Sequence, residues 1–199
     1  MEVLERLKEL GAHKAAQTIV QMLDRASDER LVQMIRMARA LSDDPEVHHA
    51  CDELARMLES EHPAKHLFRR VMRVLPTENQ ARLFYTLFYN AWFHGGRRRD
   101  QIEAERGFRP PFIMILSPTL RCNLRCKGCY TLGYGRRPEL EYAVVKDLLA
   151  QAMDLGIYFV TILGGEPLLY PHLLQMLEEF PDIFFQVYTN GTLMNDETA

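Results

Sequence analysis

A chain of 199 residues that is 47% hydrophobic and 26% charged has enough apolar material for a folded core in one or two domains. Its formal charge of −3 gives no electrostatic case for nucleic acid or anionic membrane as a partner, and no apolar run approaches the roughly 20 residues of a spanning helix. No signal-peptide pattern opens the chain, and three of its four cysteines crowd into one stretch rather than a secreted disulfide framework, so a reducing cytoplasm is the expected compartment.

The first half reads as successive helices. Val3, Leu4, Leu7 and Leu10 sit at helical spacing before Gly11, and further helices are expected around 13–25, 28–41 and 46–60. Ser27, Ser42 and Pro45 punctuate them, with Asp43 and Asp44 as capping candidates. Thr77 and Gln80 match a capping box ahead of the aromatic run 81–93, which predicts a helix packed on most sides and closed by Gly95 and Gly96. From there to Pro111 the Gly, Pro and charge content is that of a connection. Arg97, Arg98 and Arg99 are read as solvated, because acidic residues follow at 100, 103 and 105.

The periodicity then changes. Apolar runs at 112–116, 157–163 and 183–188 alternate with helical patterns at 139–154 and 170–179, the rhythm of βαβ units on a parallel sheet. The predicted organisation is an all-α domain over 1–95, a linker over 96–111 and an α/β domain over 112–199. In such sheets ligands collect where strands end and loops leave toward helices. Three motifs fall at those ends: Cys122, Cys126 and Cys129 after the first strand, Gly164-Gly165-Glu166-Pro167 after the second, and Thr189-Asn190-Gly191 after the third.

Three thiolates on one loop can reach three irons of a cubane cluster, whereas stable [4Fe–4S] carriers normally use four cysteines, so one iron would stay open to another ligand. A tetrahedral zinc site with Cys51 or a histidine as fourth ligand is the competing reading of the same thiols, and it leaves the Gly-Gly-Glu-Pro loop unexplained. Cys51, among Leu54, Met57 and Leu58, has the setting of a buried structural thiol, and His48, His49, His62 and His66 that of surface or capping residues. Arg121, Arg125 and Lys127 flank the cysteines, where positive charge favours thiolates.

Together, a C-x₃-C-x₂-C loop after the first strand and a G-G-E-P loop after the second resemble the radical S-adenosylmethionine (radical SAM) superfamily over roughly residues 112–199. The resemblance implies a truncated (βα) partial TIM-like barrel preceded by the helical domain, because the family core has six strands and this sequence reaches the third; the chain is expected to be part of a longer protein. It implies a [4Fe–4S] cluster held by Cys122, Cys126 and Cys129, with S-adenosylmethionine chelating the open iron. Gly164, Gly165 and Glu166 are then expected to bind the cofactor's amino group, the glycines by letting backbone oxygens approach closely and Glu166 as an anionic acceptor; Thr189 and Asn190 are further candidate contacts. The activity implied is reductive cleavage of the cofactor to a 5′-deoxyadenosyl radical that abstracts hydrogen from a substrate the residues do not specify, with a reductant such as flavodoxin or ferredoxin. No residue is singled out as catalytic. A noncatalytic cluster-carrying or zinc-stabilised binding module is the alternative. One departure is local: the position before the last cysteine is commonly aromatic in the family, and here it is Gly128, followed by Tyr130.

Overall fold

Ser27 opens the first of the described helices in the manner of an N-cap, its hydroxyl oxygen accepting from the Arg30 amide at 3.4 Å. The computed structural model describes residues 27–40, 45–131 and 139–195. The helices expected near the start, and the candidate caps Ser42, Asp43 and Asp44, lie outside the described residues. The chain divides into two compact units, Met1–Phe84 and Tyr85–Ala199.

Among the described residues the first unit is helical: α1 (Asp28–Ala40), α2 (Pro45–Glu59), α3 (Pro63–Val74) and α4 (Thr77–Leu83). Leu31 and Val32 of α1 bury against Ala55 and Leu58 of α2, and ion pairs Arg36–Glu59 at 2.6 Å and Arg39–Asp52 at 2.9 Å flank that seam. Thr77, expected to open a capping box, stands one position inside the N-cap of its helix. Pro76 takes the N-cap position, and the Gln80 amide instead reaches back to the Leu75 carbonyl at 2.8 Å. Cys51 is half-buried in α2, and burial pushes its thiol up.

In the second unit the aromatic run forms a π-helical segment, Phe84–His94. The expectation that it packs on most sides is overturned, since Trp92 and Phe93 are about half exposed. Its partners are edge-on rings: Trp92 meets Phe112, Phe112 meets Phe159, and Phe159 meets Phe184, all T-shaped. Gly95 and Gly96 do not end the helix, which continues as α5 (Gly95–Arg106). The reason is packing: Gly95 is buried against the backbone of Gly156, leaving no room for a Cβ. Residues 96–111 are therefore helical as far as Arg106, and Arg99 is not solvated. Its guanidinium is buried, donates to the carbonyls of Ala91 and Gly156, and lies over the Phe112 ring at 5.2 Å. This plug sits where the three strands begin.

Those strands, β1 (Ile113–Thr119), β2 (Phe159–Gly164) and β3 (Phe184–Val187), form a parallel sheet in the order β1-β2-β3. Helix α6 (Tyr142–Asp154) joins the first pair of strands, and a 3₁₀ turn (Pro167–Leu169) with α7 (Leu173–Glu179) joins the second. Leu116, Val160 and Ile162 face Val145, Leu149, Leu173 and Met176, building the core on one side of the sheet. On β1 the alternate residues Ile113 and Ile115 are exposed, as the period-two geometry of a strand requires of the opposite face. Mixed helix with parallel sheet is the α/β class expected.

Candidate functional site

The site begins with a defect in β1. Pro118 has no N–H to give to the ladder, and the pairing with β2 shifts register between Leu116 and Thr119. The Pro118 carbonyl instead accepts from the Leu140 amide at 2.9 Å. Beyond the shift Thr119 pairs with Gly164, so the cysteine loop and the Gly-Gly-Glu-Pro loop leave the sheet side by side.

They stay together by backbone bonds: the Gly165 amide donates to the Thr119 carbonyl at 3.0 Å and the Glu166 amide to the Arg121 carbonyl at 2.7 Å. A Cβ on Gly165 would collide with the Arg121 carbonyl, and one on Gly164 with that of Thr119. The missing side chains are thus used by the protein itself, to bring two loops into contact, which is a different use from the close approach of a ligand expected of these glycines. Tyr130 adds a longer link, its hydroxyl donating to the Gly164 carbonyl at 3.5 Å.

Cys122 and Cys126 are exposed, Cys129 is half-buried, and none of the three forms a disulfide. The Cys129 amide donates to the Cys126 carbonyl at 3.1 Å, closing a turn through Gly128. Gly128 has φ of +80°, a conformation costly for an aromatic residue, which accounts for the departure at this position. Thr131 Oγ1 lies 3.1 Å from Cys129 Sγ, and the Leu124 amide donates to Cys122 Sγ at 3.4 Å. Arg121 pairs with Glu139, which also accepts from the Thr119 hydroxyl at 3.3 Å, while Arg125 and Lys127 are exposed. Among the described residues no three His, Cys, Asp or Glu side chains form a metal-holding group, so the thiols share a loop without being drawn into ligand geometry. What fits an iron–sulfur group is the donor chemistry: three thiols on one short loop, with positive charge around them.

Glu166 departs furthest from expectation. Its carboxylate is fully buried and accepts three hydrogen bonds from the protein: Oε1 accepts from the Thr189 hydroxyl at 2.6 Å and the Leu168 amide at 3.0 Å, and Oε2 accepts from the Asn190 amide at 2.8 Å. Burial pushes its pKa up, but these three donors outweigh that effect and hold the carboxyl below its ordinary range. The side chain is a clamp between the loops after β2 and β3. A cofactor contact is expected of it from the motif; the partners seen in this structure are Thr189, Leu168 and Asn190.

Thr189 and Asn190 are brought to the site, with the protein as their partner. The Asn190 side chain extends the clamp to the cysteine loop, its Nδ2 donating to Asn123 Oδ1 at 2.9 Å and lying 3.9 Å from Cys122 Sγ. Thr192 closes the ring by bonding both asparagines. Neither Asn123 nor Thr192 stands out in the sequence. The available signal was a short amide-bearing side chain between two cysteines and a Thr-Asn-Gly-Thr turn at the facing strand end.

Residues 116–199 match the model of the Radical SAM superfamily. Over that segment the chain is similar to radical SAM proteins. The chain is 35% identical over 99 residues to the probable GTP 3′,8-cyclase of Methanothermobacter thermautotrophicus, covering 48% of this chain and 32% of that protein. It is 29% identical over 98 residues to the mycofactocin maturase MftC of Mycobacterium tuberculosis, covering 48% and 25%. A crystal structure of Streptococcus suis SuiB bound to precursor peptide SuiA aligns with a TM-score of 0.43 and 20% identity, covering 76% of this chain and 34% of that one. The chain spans about a quarter to a third of the length of the curated relatives it matches. Among the described residues no helix is long and apolar enough to cross a membrane.

Proposed function

We propose that this chain belongs to a radical SAM enzyme, in which Cys122, Cys126 and Cys129 hold a [4Fe–4S] cluster beside the S-adenosylmethionine site. The observation carrying the proposal is the convergence at one sheet end of the three-cysteine loop and the Gly-Gly-Glu-Pro loop, inside a segment that matches the superfamily model. Bound there, a reduced cluster would supply one electron to S-adenosylmethionine, releasing methionine and a 5′-deoxyadenosyl radical for hydrogen abstraction.

The chain's own residues prepare that site. The register shift at Pro118 and the bonds from Gly165 and Glu166 fix the cysteine loop to the end of β2. Glu166 fixes the end of β3 to the same point, so three loops share one anchor. Gly164 and Gly165 are half-buried beside the loop, and their backbone is the part of this motif left to meet the cofactor's amino group. Arg121, Arg125 and Lys127 offset the negative charge a thiolate-bound cluster carries. The finer reading of the fold is the start of a (βα) partial barrel, supported by the parallel strand order and by the exposed apolar residues Ile113 and Ile115, since parallel sheets are normally covered on both faces. Thiols of this kind call for a reducing compartment, and the electron for a small reductant of the flavodoxin or ferredoxin kind.

Anaerobic reconstitution followed by iron, sulfide and zinc analysis tests the metal assignment. Iron and sulfide in equal amounts, at the stoichiometry of a [4Fe–4S] cluster and lost on Cys122→Ala, are expected. One equivalent of zinc without sulfide would replace this reading with that of a zinc-stabilised module.

A further inference from the structure

We infer that Asn190 is a positioning residue for the Cys122 sulfur, coupling the end of the third strand to the electronic properties of the metal site. The inference rests on the cluster reading proposed above.

The orientation of the Asn190 amide is determined by its partners. Its Oδ1 accepts from the Thr192 amide at 3.0 Å and from the Thr192 hydroxyl at 2.7 Å, so the oxygen must face Thr192. The NH₂ group is thereby turned to the cysteine loop. One of its two protons has an acceptor in Asn123 Oδ1 at 2.9 Å, and the other has Cys122 Sγ at 3.9 Å. Asn123 is held in turn by its own Nδ2, which donates to Thr192 Oγ1 at 2.8 Å. A flipped amide would set its NH₂ against the Thr192 backbone N–H and its oxygen against Asn123 Oδ1, losing both of these bonds.

The backbone carrying this amide is also fixed. The Asn190 N–H is bound to the buried Glu166 carboxylate, and the neighbouring Thr189 hydroxyl donates to the same group while accepting from the Gly191 amide at 3.0 Å. A buried charge therefore sets the position of an exposed amide, and that amide faces one thiol of the three. Cys122 Sγ has the Leu124 amide as a second donor at 3.4 Å. The Cys122 sulfur thus faces two amide groups, one from its own loop and one from the end of the third strand. Hydrogen bonds to the sulfurs of an iron–sulfur group stabilise its more negative, reduced state and raise its potential.

The test uses the full chain, anaerobically reconstituted, as wild type, Asn190→Ala and Asn190→Asp. The backbone bond to Glu166 survives both substitutions, so both variants are expected to fold, with unchanged circular dichroism. Iron and sulfide content is measured first and the midpoint potential second, by redox titration followed by electron paramagnetic resonance. The expected result is wild-type iron in both variants with a lowered midpoint, lower for Asn190→Asp because a carboxylate adds negative charge beside the sulfur. Wild-type iron with unchanged midpoints in both variants would overturn the inference, as would loss of iron from both, which would make Asn190 a requirement for loop structure. A wild-type chain that takes up no iron would overturn the cluster reading itself and this inference with it.

Discussion

Replacing Glu166 by glutamine separates a structural clamp from a ligand contact. Three donors converge on the carboxylate, and its two oxygens serve them unequally: Oε1 takes the Thr189 hydroxyl and Leu168 amide, Oε2 the Asn190 amide. A glutamine can keep its oxygen toward Thr189 and Leu168, but its NH₂ then faces the Asn190 N–H, donor against donor, inside a fully buried site. One charge-assisted bond is lost and two others become neutral; with such bonds contributing about 1.5–3 kcal/mol against about 1 kcal/mol for neutral ones, the loss is about 2.5–7 kcal/mol, and because a buried charge no longer has to be desolvated the expected net cost lies at the lower end of that range. The pH dependence follows from the sign of the shift. The folded carboxyl is held below its ordinary value, so its contribution is fully present above the unfolded pKa of about 4.3 and is lost as pH falls through the lower, folded pKa. Urea denaturation of wild type and Glu166→Gln should therefore differ by that amount at pH 7, and the two should converge as the pH is taken below about 4. Equal stability at pH 7, together with weakened S-adenosylmethionine binding, would refute the clamp and restore Glu166 as a direct contact.

Other substitutions probe separate parts of the account. Cys126→Ala should abolish iron uptake while leaving circular dichroism at the wild-type level, because the thiol is exposed and supports no packing; retained iron in full would remove it from the ligand set. Gly165→Ala should destabilise by about 1–3 kcal/mol in denaturant titration, since its Cβ has no space beside the Arg121 carbonyl; a neutral effect would mean the two loops are free to separate. Arg99→Ala should cost about 2–4 kcal/mol, leaving buried carbonyls of Ala91 and Gly156 without their donor. An unchanged melting temperature for this variant would count against the plug at the base of the strands.

The strands were legible because they are continuous apolar runs: the stretches expected at 112–116, 157–163 and 183–188 overlap β1, β2 and β3, and the spacing at 139–154 contains α6. Their ends were legible as a site because cysteines and paired glycines are rare in such positions. The roles within the site were harder to read, since they depend on distant partners. Nothing next to Glu166 in the sequence announces that Thr189 and Asn190, more than 20 residues on, will donate to its oxygens. Gly164 and Gly165 were read as open space for a ligand, whereas the atoms they make room for belong to Thr119 and Arg121. The same limit applies to Arg99, whose acidic neighbours in sequence suggested solvation and whose spatial neighbours are carbonyls and an aromatic ring.

The most direct test of the central claim is electron paramagnetic resonance of the anaerobically reconstituted, dithionite-reduced protein, recorded with and without S-adenosylmethionine. The account predicts a reduced [4Fe–4S] signal that changes when the cofactor is added, because three cysteines leave one iron open to it. A cluster signal indifferent to the cofactor would contradict the open-iron site in this chain, and no cluster signal would contradict the assignment of Cys122, Cys126 and Cys129.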